Sequence, residues 1–462
     1  MSSTIQEAIA ALRKKRVAVL GLGVSNMPLL KILLRGGVEV MACDKRGRES
    51  FGGQAEELES LGAKLCLGED YLDYLEGWEV IFRTPGLHPD TPQLTAARAR
   101  GSVITSEMEL FFTVCPCKII GVTGSDGKTT TTTMIAEFLK EAGYTVYLGG
   151  NIGKPLLGDV DGMVPEDIVV LELSSFQLMT MKHSPHIAVV TNVSPNHLDV
   201  HKTMSEYIAA KENIFLHQSE NGLLVLNYEN EITRSFGKAA NGKVTFFGSG
   251  GALARGVFVQ HDAIWVSDNE KGREVLPLSG TLLPGAHNVE NYMAAIAAVE
   301  GLVSDAVIRT VAGRFTGVEH RIELVRTFKE VRYYNDSIAS SPTRTIAGLR
   351  SFRQKVILIA GGYDKQIPFD ILGEEIVAHV KHLVLTGKTA PKIRAAVERA
   401  KGYQAGSPAI DMIDDFSQAV LTAHLAARPG DIVMLSPACA SFDQFKNFSE
   451  RGETFKKLIY GL

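Results

Sequence analysis

Two glycines, a lysine and a threonine, set in the run Thr123-Gly124-Ser125-Asp126-Gly127-Lys128-Thr129, carry the chemistry most readily named in this chain. Glycines let successive backbone N–H groups turn inward, and a helix starting just afterwards adds unpaired donors and the positive end of its dipole. Such a loop cradles a polyphosphate: Lys128 would reach the β- and γ-phosphates, and the Thr129 hydroxyl is placed to ligate Mg²⁺. The general pattern asks for glycine where Val122 stands, so a strand-to-helix turn that merely contains Gly-Lys-Thr is the competing reading. Glu172, after the apolar run Ile168-Val169-Val170-Leu171, is the carboxylate that could share the ion, although a surface acid at a strand end would look the same. Asn151, in Gly149-Gly150-Asn151-Ile152-Gly153, offers an amide that can recognise a ligand.

Other groups invite chemistry and resist it. His197, Asp199 and His201 suggest zinc, but alternating positions on a short segment face different ways, and no further cluster has ligand spacing. One histidine, His197, serving a Mg²⁺ or substrate site is the better reading, with His201 a turn residue. Cys115-Pro116-Cys117 lacks Cys-x-x-Cys spacing and reads as a linker. Lys211 follows Tyr207-Ile208-Ala209-Ala210 on a helical stretch, and composition favours an ordinary solvated lysine.

The elements that must position these residues follow from periodicity. Ile119-Ile120-Gly121-Val122 reads as a strand, and 130–144 as a helix with Met134, Ile135, Phe138, Leu139 and Ala142 on one face and Gly143 at its stop. Further strands are expected at 168–171 and 187–191, then an alternating β excursion over 242–283. Asn288 and Asn291 share a helix face suited to a base or ribose, though a plain N-cap explains Asn288 equally well. Ahead of this unit, strands at 17–20, 38–43 and 80–82 surround Gly21-Leu22-Gly23-Val24-Ser25-Asn26, with Asp44 further on and the rigid turn Thr84-Pro85-Gly86-Leu87. That is most of a dinucleotide fingerprint, with Asn26 in place of the third glycine; a nucleotide diphosphate site and a bare turn both remain open. A third unit has strands at 356–360, 383–385 and 432–435 that lead into polar loops.

Bulk composition narrows the class. A chain of 462 residues exceeds one ordinary core, and 45% hydrophobic with 22% charged residues fits a globular enzyme rather than a disordered chain. Lys plus Arg total 48 against 52 acids, a net charge of −4, so no global basic field would hold nucleic acid. Five scattered cysteines argue against a disulfide framework, and no apolar run approaches a membrane span. A cytoplasmic protein without membrane or nucleic-acid partners is expected.

The phosphate loop at 123–129, Leu-Glu-Leu-Ser-Ser-Phe-Gln-Leu at 171–178, Tyr-Asn-Asp-Ser at 334–337, and Leu-Ser-Pro-Ala-Cys-Ala-Ser-Phe-Asp-Gln-Phe-Lys-Asn-Phe at 435–448 together resemble the Mur ligase family over essentially the whole chain. The phosphate loop is shared with folylpolyglutamate synthetase; the second and last blocks are those of members that add D-glutamate. The resemblance implies an α/β protein of three domains: 1–112, Rossmann-like, for the UDP-substrate; 113–316, a P-loop ATPase-like centre; and 317–462, Rossmann-like, for the amino acid. It implies a monomeric, ATP- and Mg²⁺-dependent ligase, with two ions, joining D-glutamate to UDP-N-acetylmuramoyl-L-alanine through an acyl phosphate. This reaction serves peptidoglycan synthesis, and through it cell-wall biogenesis, cell shape and division.

By the same resemblance Gly124, Ser125, Asp126, Gly127, Lys128, Thr129, Thr130, Asn288, Asn291, Arg321 and Asp336 would contact ATP. Gly23, Val24, Ser25, Asp44, Lys45, Thr84, Asn151 and His197 would hold the UDP-substrate, and Ser340, Lys365, Ser441 and Phe448 the D-glutamate. Thr129, Glu172, His197 and a carbamylated Lys211 would bind metal, and Lys128, Glu172, His197 and Lys211 would be catalytic. Ile338 departs from the pattern, because many members carry lysine there; Arg344 or Lys365 is expected to supply the missing cation. The third domain is expected to swing toward the others when substrates bind, shielding the acyl phosphate from water. A nicotinamide-dependent oxidoreductase would leave the phosphate loop and Glu172 unexplained, and a nucleotide-driven regulatory switch would need no amino-acid substrate.

Overall fold

The computed structural model describes residues 4–195, 200–251, 253–268, 271–283, 285–364 and 367–462. The chain divides into two compact units, Met1–Gly280 with Val289–Ala312, and Thr281–Asn288 with Gly313–Leu462.

The first unit holds two sheets. Five parallel strands, β1 (Arg16–Leu20), β2 (Glu39–Asp44), β3 (Lys64–Leu67), β4 (Val80–Arg83) and β5 (Val103–Thr105), lie in the order β3-β2-β1-β4-β5. Because the order runs outward both ways from β1, the loops after β1 and β4 open at one crevice at the carboxyl edge, where doubly wound sheets take ligands. The second sheet comprises β6 (Lys118–Thr123), β7 (Val146–Gly150), β8 (Ile168–Glu172), β9 (Ile187–Val190), β10 (Leu223–Asn227), β11 (Lys243–Gly248), β12 (Arg255–Gln260), β13 (Ala263–Asp268) and β14 (Gly272–Pro277). Its order is β14-β13-β12-β11-β10-β9-β6-β8-β7, parallel except where β12, β13 and β14 form an antiparallel meander. That meander is the β excursion foreseen from the alternation in the sequence.

Buried strands β1, β6 and β8 read as unbroken apolar runs because helices cover both faces. One apolar core joins Val17, Val19, Leu29 and Leu33 of the first sheet's layer to Leu171, Leu173 and Tyr207 of the second's, which is why the two sheets form a single unit. The helix after β6 spans Lys128–Glu141 and starts two residues earlier than periodicity suggested, since left-handed Gly127 (φ +78°) is its N-cap. Among the described residues no helix is long and apolar enough to cross a membrane.

The second unit is built on β15 (Glu323–Phe328), β16 (Val331–Asn335), β17 (Val356–Ala360), β18 (Val380–Leu385), β19 (Ala409–Met412) and β20 (Ile432–Leu435), in the order β15-β16-β20-β17-β18-β19. Only β15 and β16 pair antiparallel. The placement of β20 between β16 and β17 brings Tyr334-Asn335-Asp336-Ser337 beside the polar run that starts at Leu435.

Candidate active site

Strand register alone assembles the centre of the first unit. Val122 of β6 and Gly150 of β7 both lie opposite Glu172 of β8, so the phosphate loop, Glu172 and Asn151 leave the sheet at one edge. Thr129 Oγ1 donates to Glu172 Oε2 at 2.6 Å, and Asn151 Nδ2 donates to Glu172 Oε1 at 2.8 Å. Glu172 is 2% exposed, which removes the reading of a surface acid. A buried carboxylate beside a hydroxyl is a hard-oxygen set, and it fits Mg²⁺.

The loop is held by the segment that follows β9. Asn192 accepts from Ser125 N at its carbonyl (2.9 Å) and from Asp126 N at Oδ1 (2.9 Å), while Thr191 Oγ1 donates to Asp126 O at 2.6 Å. Ser125 Oγ donates to Ser194 O at 2.9 Å and lies 3.0 Å from Tyr207 Oη. Gly124 (φ +151°) and Gly127 cannot be replaced: a Cβ would strike Thr191 Oγ1 at the first and Asn291 Oδ1 at the second. Gly127 provides no side-chain cap to the helix it starts, so the helix presents its N-terminal amides uncapped by a side chain. Lys128 Nζ lies across the loop, 2.9 Å from both Gly124 O and Ser125 O. Thr130 is buried in the first helical turn. Asn291 joins this group through Thr131 Oγ1, at 3.2 Å. Asn288 lies inside the helix Ala286–Val299, with its N–H bonded to Gly285 O, and so is not its N-cap.

Lys211 corrects the reading of a solvated lysine. It is 1% exposed on the helix Met204–Glu212, donates to Gly124 O at 2.8 Å, and sits 4.6 Å over the Tyr207 ring. Burial, and after it the charge of Lys128, hold its pKa well below the ordinary lysine range. Helical periodicity could not signal this, because Lys211 occupies the buried face without an apolar side chain. His201 does lie in a bend, ahead of the helix Met204–Glu212, but it is more than a turn residue: it is buried, its Nε2 is 2.9 Å from Ser175 Oγ, and it stacks on Phe176. Asn196, His197 and Asp199 lie outside the described residues.

At the first sheet, Gly21 (φ +88°) follows β1 and bonds to Cys43 O at 2.7 Å, and Thr84 N donates to Leu20 O at 3.0 Å. Gly23, Val24 and Ser25 complete the turn, and Ser25 is the N-cap of the helix Asn26–Arg35. Asn26 takes over the work of the missing third glycine differently, donating to Leu20 O at 3.1 Å and Gly21 O at 3.0 Å. Asp44 Oδ2 accepts from Leu22 N at 2.7 Å, and both carboxylate oxygens accept from the Arg46 guanidinium. Burial raises its pKa, but the Arg46 hydrogen bonds and Leu22 N–H outweigh that and leave it below the usual carboxylate range. Asp44 therefore clamps the glycine turn, with exposed Lys45 beside it. Arg46 was missed in the sequence; its position two residues after the acid was the available signal.

In the second unit, Asp336 is buried and accepts from Ser436 Oγ at 2.7 Å and Ile322 N at 3.3 Å. Burial pushes its pKa up to about 7, against the pull of Ser436 and of the Arg321 charge. Ser340 N bonds to Ile338 O at 2.8 Å, Ser441 is buried, and half-exposed Phe448 starts the helix Phe448–Tyr460. Arg451, also missed, ties these segments together. Its guanidinium donates to Ser337 Oγ (3.0 Å), Ser337 O (2.9 Å), Cys439 O (3.1 Å) and Ala440 O (3.2 Å). A lone arginine on an amphipathic helix gives no sequence signal for such a role. Lys365 lies outside the described residues.

Residues 15–106 match the family described as Mur ligase MurD-like, N-terminal domain; 122–299 match the Mur ligase middle domain, and 320–439 the Mur ligase, glutamate ligase domain. The chain is 51% identical over 461 residues to the UDP-N-acetylmuramoylalanine–D-glutamate ligase of Acetivibrio thermocellus, covering 99% of each. It is 50% identical over 462 residues to that of Clostridium novyi, covering 100% of each. Among solved structures it resembles the UDP-N-acetylmuramate-alanine ligase MurC of Thermotoga maritima, with TM-score 0.57 at 17% identity over 97% of this chain and 99% of that one. The MurF ligase of Thermotoga maritima, solved with ADP, gives TM-score 0.57 at 18% identity over 98% and 97%. At such identity these two likenesses speak for the fold.

Proposed function

The chain belongs to the Mur ligase family, and from that premise we propose that it joins D-glutamate to UDP-N-acetylmuramoyl-L-alanine at the expense of ATP in peptidoglycan synthesis. The observation that carries this reading is the bonding of Thr129 and Asn151 to the two oxygens of Glu172 at the phosphate loop. It supports reading the loop as the nucleotide site, Glu172 as the metal-binding carboxylate and Asn151 as the substrate-sensing amide, all at one sheet edge.

In this reading the carboxylate of the L-alanyl residue attacks the γ-phosphorus, the bond to ADP breaks, and an acyl phosphate forms. The D-glutamate amine attacks the acyl carbon, phosphate leaves, and the amine gives up its proton as the amide forms. Lys128 and the uncapped helix amides balance the phosphate charge, which is what lets two anions approach. Mg²⁺ held by Thr129 and Glu172, with His197 and a modified Lys211 for a second ion, would supply further charge neutralisation. Support for the modification is that burial lowers the Lys211 pKa and so favours the neutral amine, the form that adds CO₂ to give a carbamate anion.

Gly23, Val24, Ser25, Asp44, Lys45 and Thr84 are assigned to the uridine diphosphate, with Asp44 shaping the turn. Asn288, Arg321 and Asp336 are assigned to nucleotide contact, and Ser340, Lys365, Ser441 and Phe448 to D-glutamate. The functional domains are taken as 1–112, 113–316 and 317–462, in a monomeric cytoplasmic enzyme.

The test is phosphate release from ATP and Mg²⁺ with UDP-N-acetylmuramoyl-L-alanine, comparing D-glutamate with L-glutamate, L-alanine and no amino acid. Turnover confined to D-glutamate is expected. Equal release with every amino acid, or none with any, would overturn the acceptor assignment.

A further inference from the structure

Within the first unit, Ser25, Asn26, Arg83, Pro85, Glu107 and Gln177 line a narrow niche that is partly open to solvent. Ser25 belongs to the glycine turn after β1. Gly150, which also borders the niche, directly precedes Asn151. The niche thus lies between the glycine turn and the residue before Asn151.

Glu107 stands out in it. It opens the helix Glu107–Val114, is 6% exposed, and its carboxyl has no hydrogen-bond or ion-pair partner among the described residues. Two residues on, Glu109 is fully engaged: Oε2 accepts from Thr105 Oγ1 at 3.1 Å and Oε1 from Lys182 N at 3.0 Å. Arg83, on the wall of the same niche, spends its terminal nitrogens on Leu87 O (2.9 Å) and Phe176 O (2.8 Å), while its Nε has no partner among the described residues. Buried polar groups are nearly always satisfied, so the unpartnered Arg83 Nε and the Glu107 carboxyl, both on the wall of the niche, are free to take a partner that enters it. Burial pushes the Glu107 pKa up to about 7, so near neutrality the carboxyl can donate as well as accept.

The chemistry of that partner follows from the surroundings. A phosphate is ill suited, because an acidic side chain would face it and the Arg83 terminal nitrogens are already used. Hydroxyl and N-acetyl groups are suited, since they donate and accept without charge. We propose that Glu107 is a binding and specificity residue for the acetylated hexosamine of the sugar nucleotide, hydrogen-bonding an uncharged polar group of the sugar. This rests on the assignment of Ser25, Thr84 and Asn151 to the UDP-substrate.

The experiment is calorimetric binding of UDP-N-acetylmuramoyl-L-alanine, UDP-N-acetylglucosamine and UDP to the full-length wild type, Glu107→Ala and Glu107→Gln, with thermal unfolding of each. Glu107→Ala should bind both sugar nucleotides about tenfold more weakly, the loss of one hydrogen bond, and bind UDP unchanged. Glu107→Gln should recover most of the affinity. The melting temperature should hold or rise in both, because no native hydrogen bond is removed. Wild-type affinity of Glu107→Ala for the sugar nucleotides would overturn the proposal alone, as would a parallel loss of UDP. If the wild type bound none of these ligands, the substrate assignment would fall and the proposal with it.

Discussion

Thr129 and Glu172 are 43 residues apart in the chain, yet Thr129 Oγ1 and Glu172 Oε2 are 2.6 Å apart. The contact is a product of sheet order: β8 neighbours β6 directly, so the acid that ends one strand meets the helix that follows the other. Thr129 and Glu172 are the pair that would hold a divalent cation beside the phosphate loop, where its charge would offset that of the phosphates.

Glu172→Gln keeps the size of the side chain and removes its charge. Turnover should fall on the order of 10²-fold or more, as for loss of a group facing developing charge, and added Mg²⁺ should recover part of it. Phosphate release across a Mg²⁺ titration reads both effects, with melting temperature as the control for folding. Wild-type turnover at ordinary Mg²⁺ would remove Glu172 from metal binding.

Lys211 carries a stability signature that is independent of activity. Its folded pKa is depressed, first by burial and then by Lys128, while the unfolded chain has a lysine near 10.4. Between those values the unfolded state binds more protons, so stability should rise with pH across the window and level off above it. Lys211→Met should be more stable than the wild type near neutrality and should lack that rise. Urea unfolding at several pH values gives the answer; parallel profiles for the two proteins would contradict a buried neutral lysine.

Asp336 predicts the opposite slope. Its folded pKa of about 7 lies above the ordinary aspartate value, so the native state retains a proton that the unfolded chain has lost. Stability should therefore fall as pH rises from about 4 to about 7, by on the order of 4 kcal/mol for this group alone. In Asp336→Asn the contribution should vanish, and unfolding free energies across that range should flatten. An unchanged slope would place the titrating group elsewhere.

The strands and the phosphate loop were legible because apolar runs of the right length have few alternatives once glycines and polar turns bound them. Glu172 was legible because a single acid at the end of such a run is conspicuous. What escaped was burial of long polar side chains. Lys211 and Arg451 occupy positions that a hydrophobicity pattern scores as solvent, and their partners are mostly backbone carbonyls and hydroxyls from distant segments. Arg451 serves residues 114 positions away. His201 was misread for the same reason, since stacking on Phe176 leaves no trace in local sequence.

The missing lysine at Ile338 has a structural counterpart. Arg344 is exposed in the first turn of the helix Pro342–Arg350, and its Nη1 donates to the Ile338 carbonyl at 3.2 Å. The guanidinium thus lies beside residue 338, the position at which the family resemblance implies a lysine, and its charge also acts on Asp336. An exposed arginine with one carbonyl contact contributes little to stability, so a strong effect of its removal would have to be functional. Arg344→Ala should lower turnover roughly tenfold to a hundredfold with an unchanged melting temperature. Adding Ile338→Lys to that variant should restore much of the rate by returning the cation along the other route. Steady-state phosphate release with all three substrates compares the single and double variants. If Arg344→Ala turned over at the wild-type rate, Arg344 would be eliminated from the role.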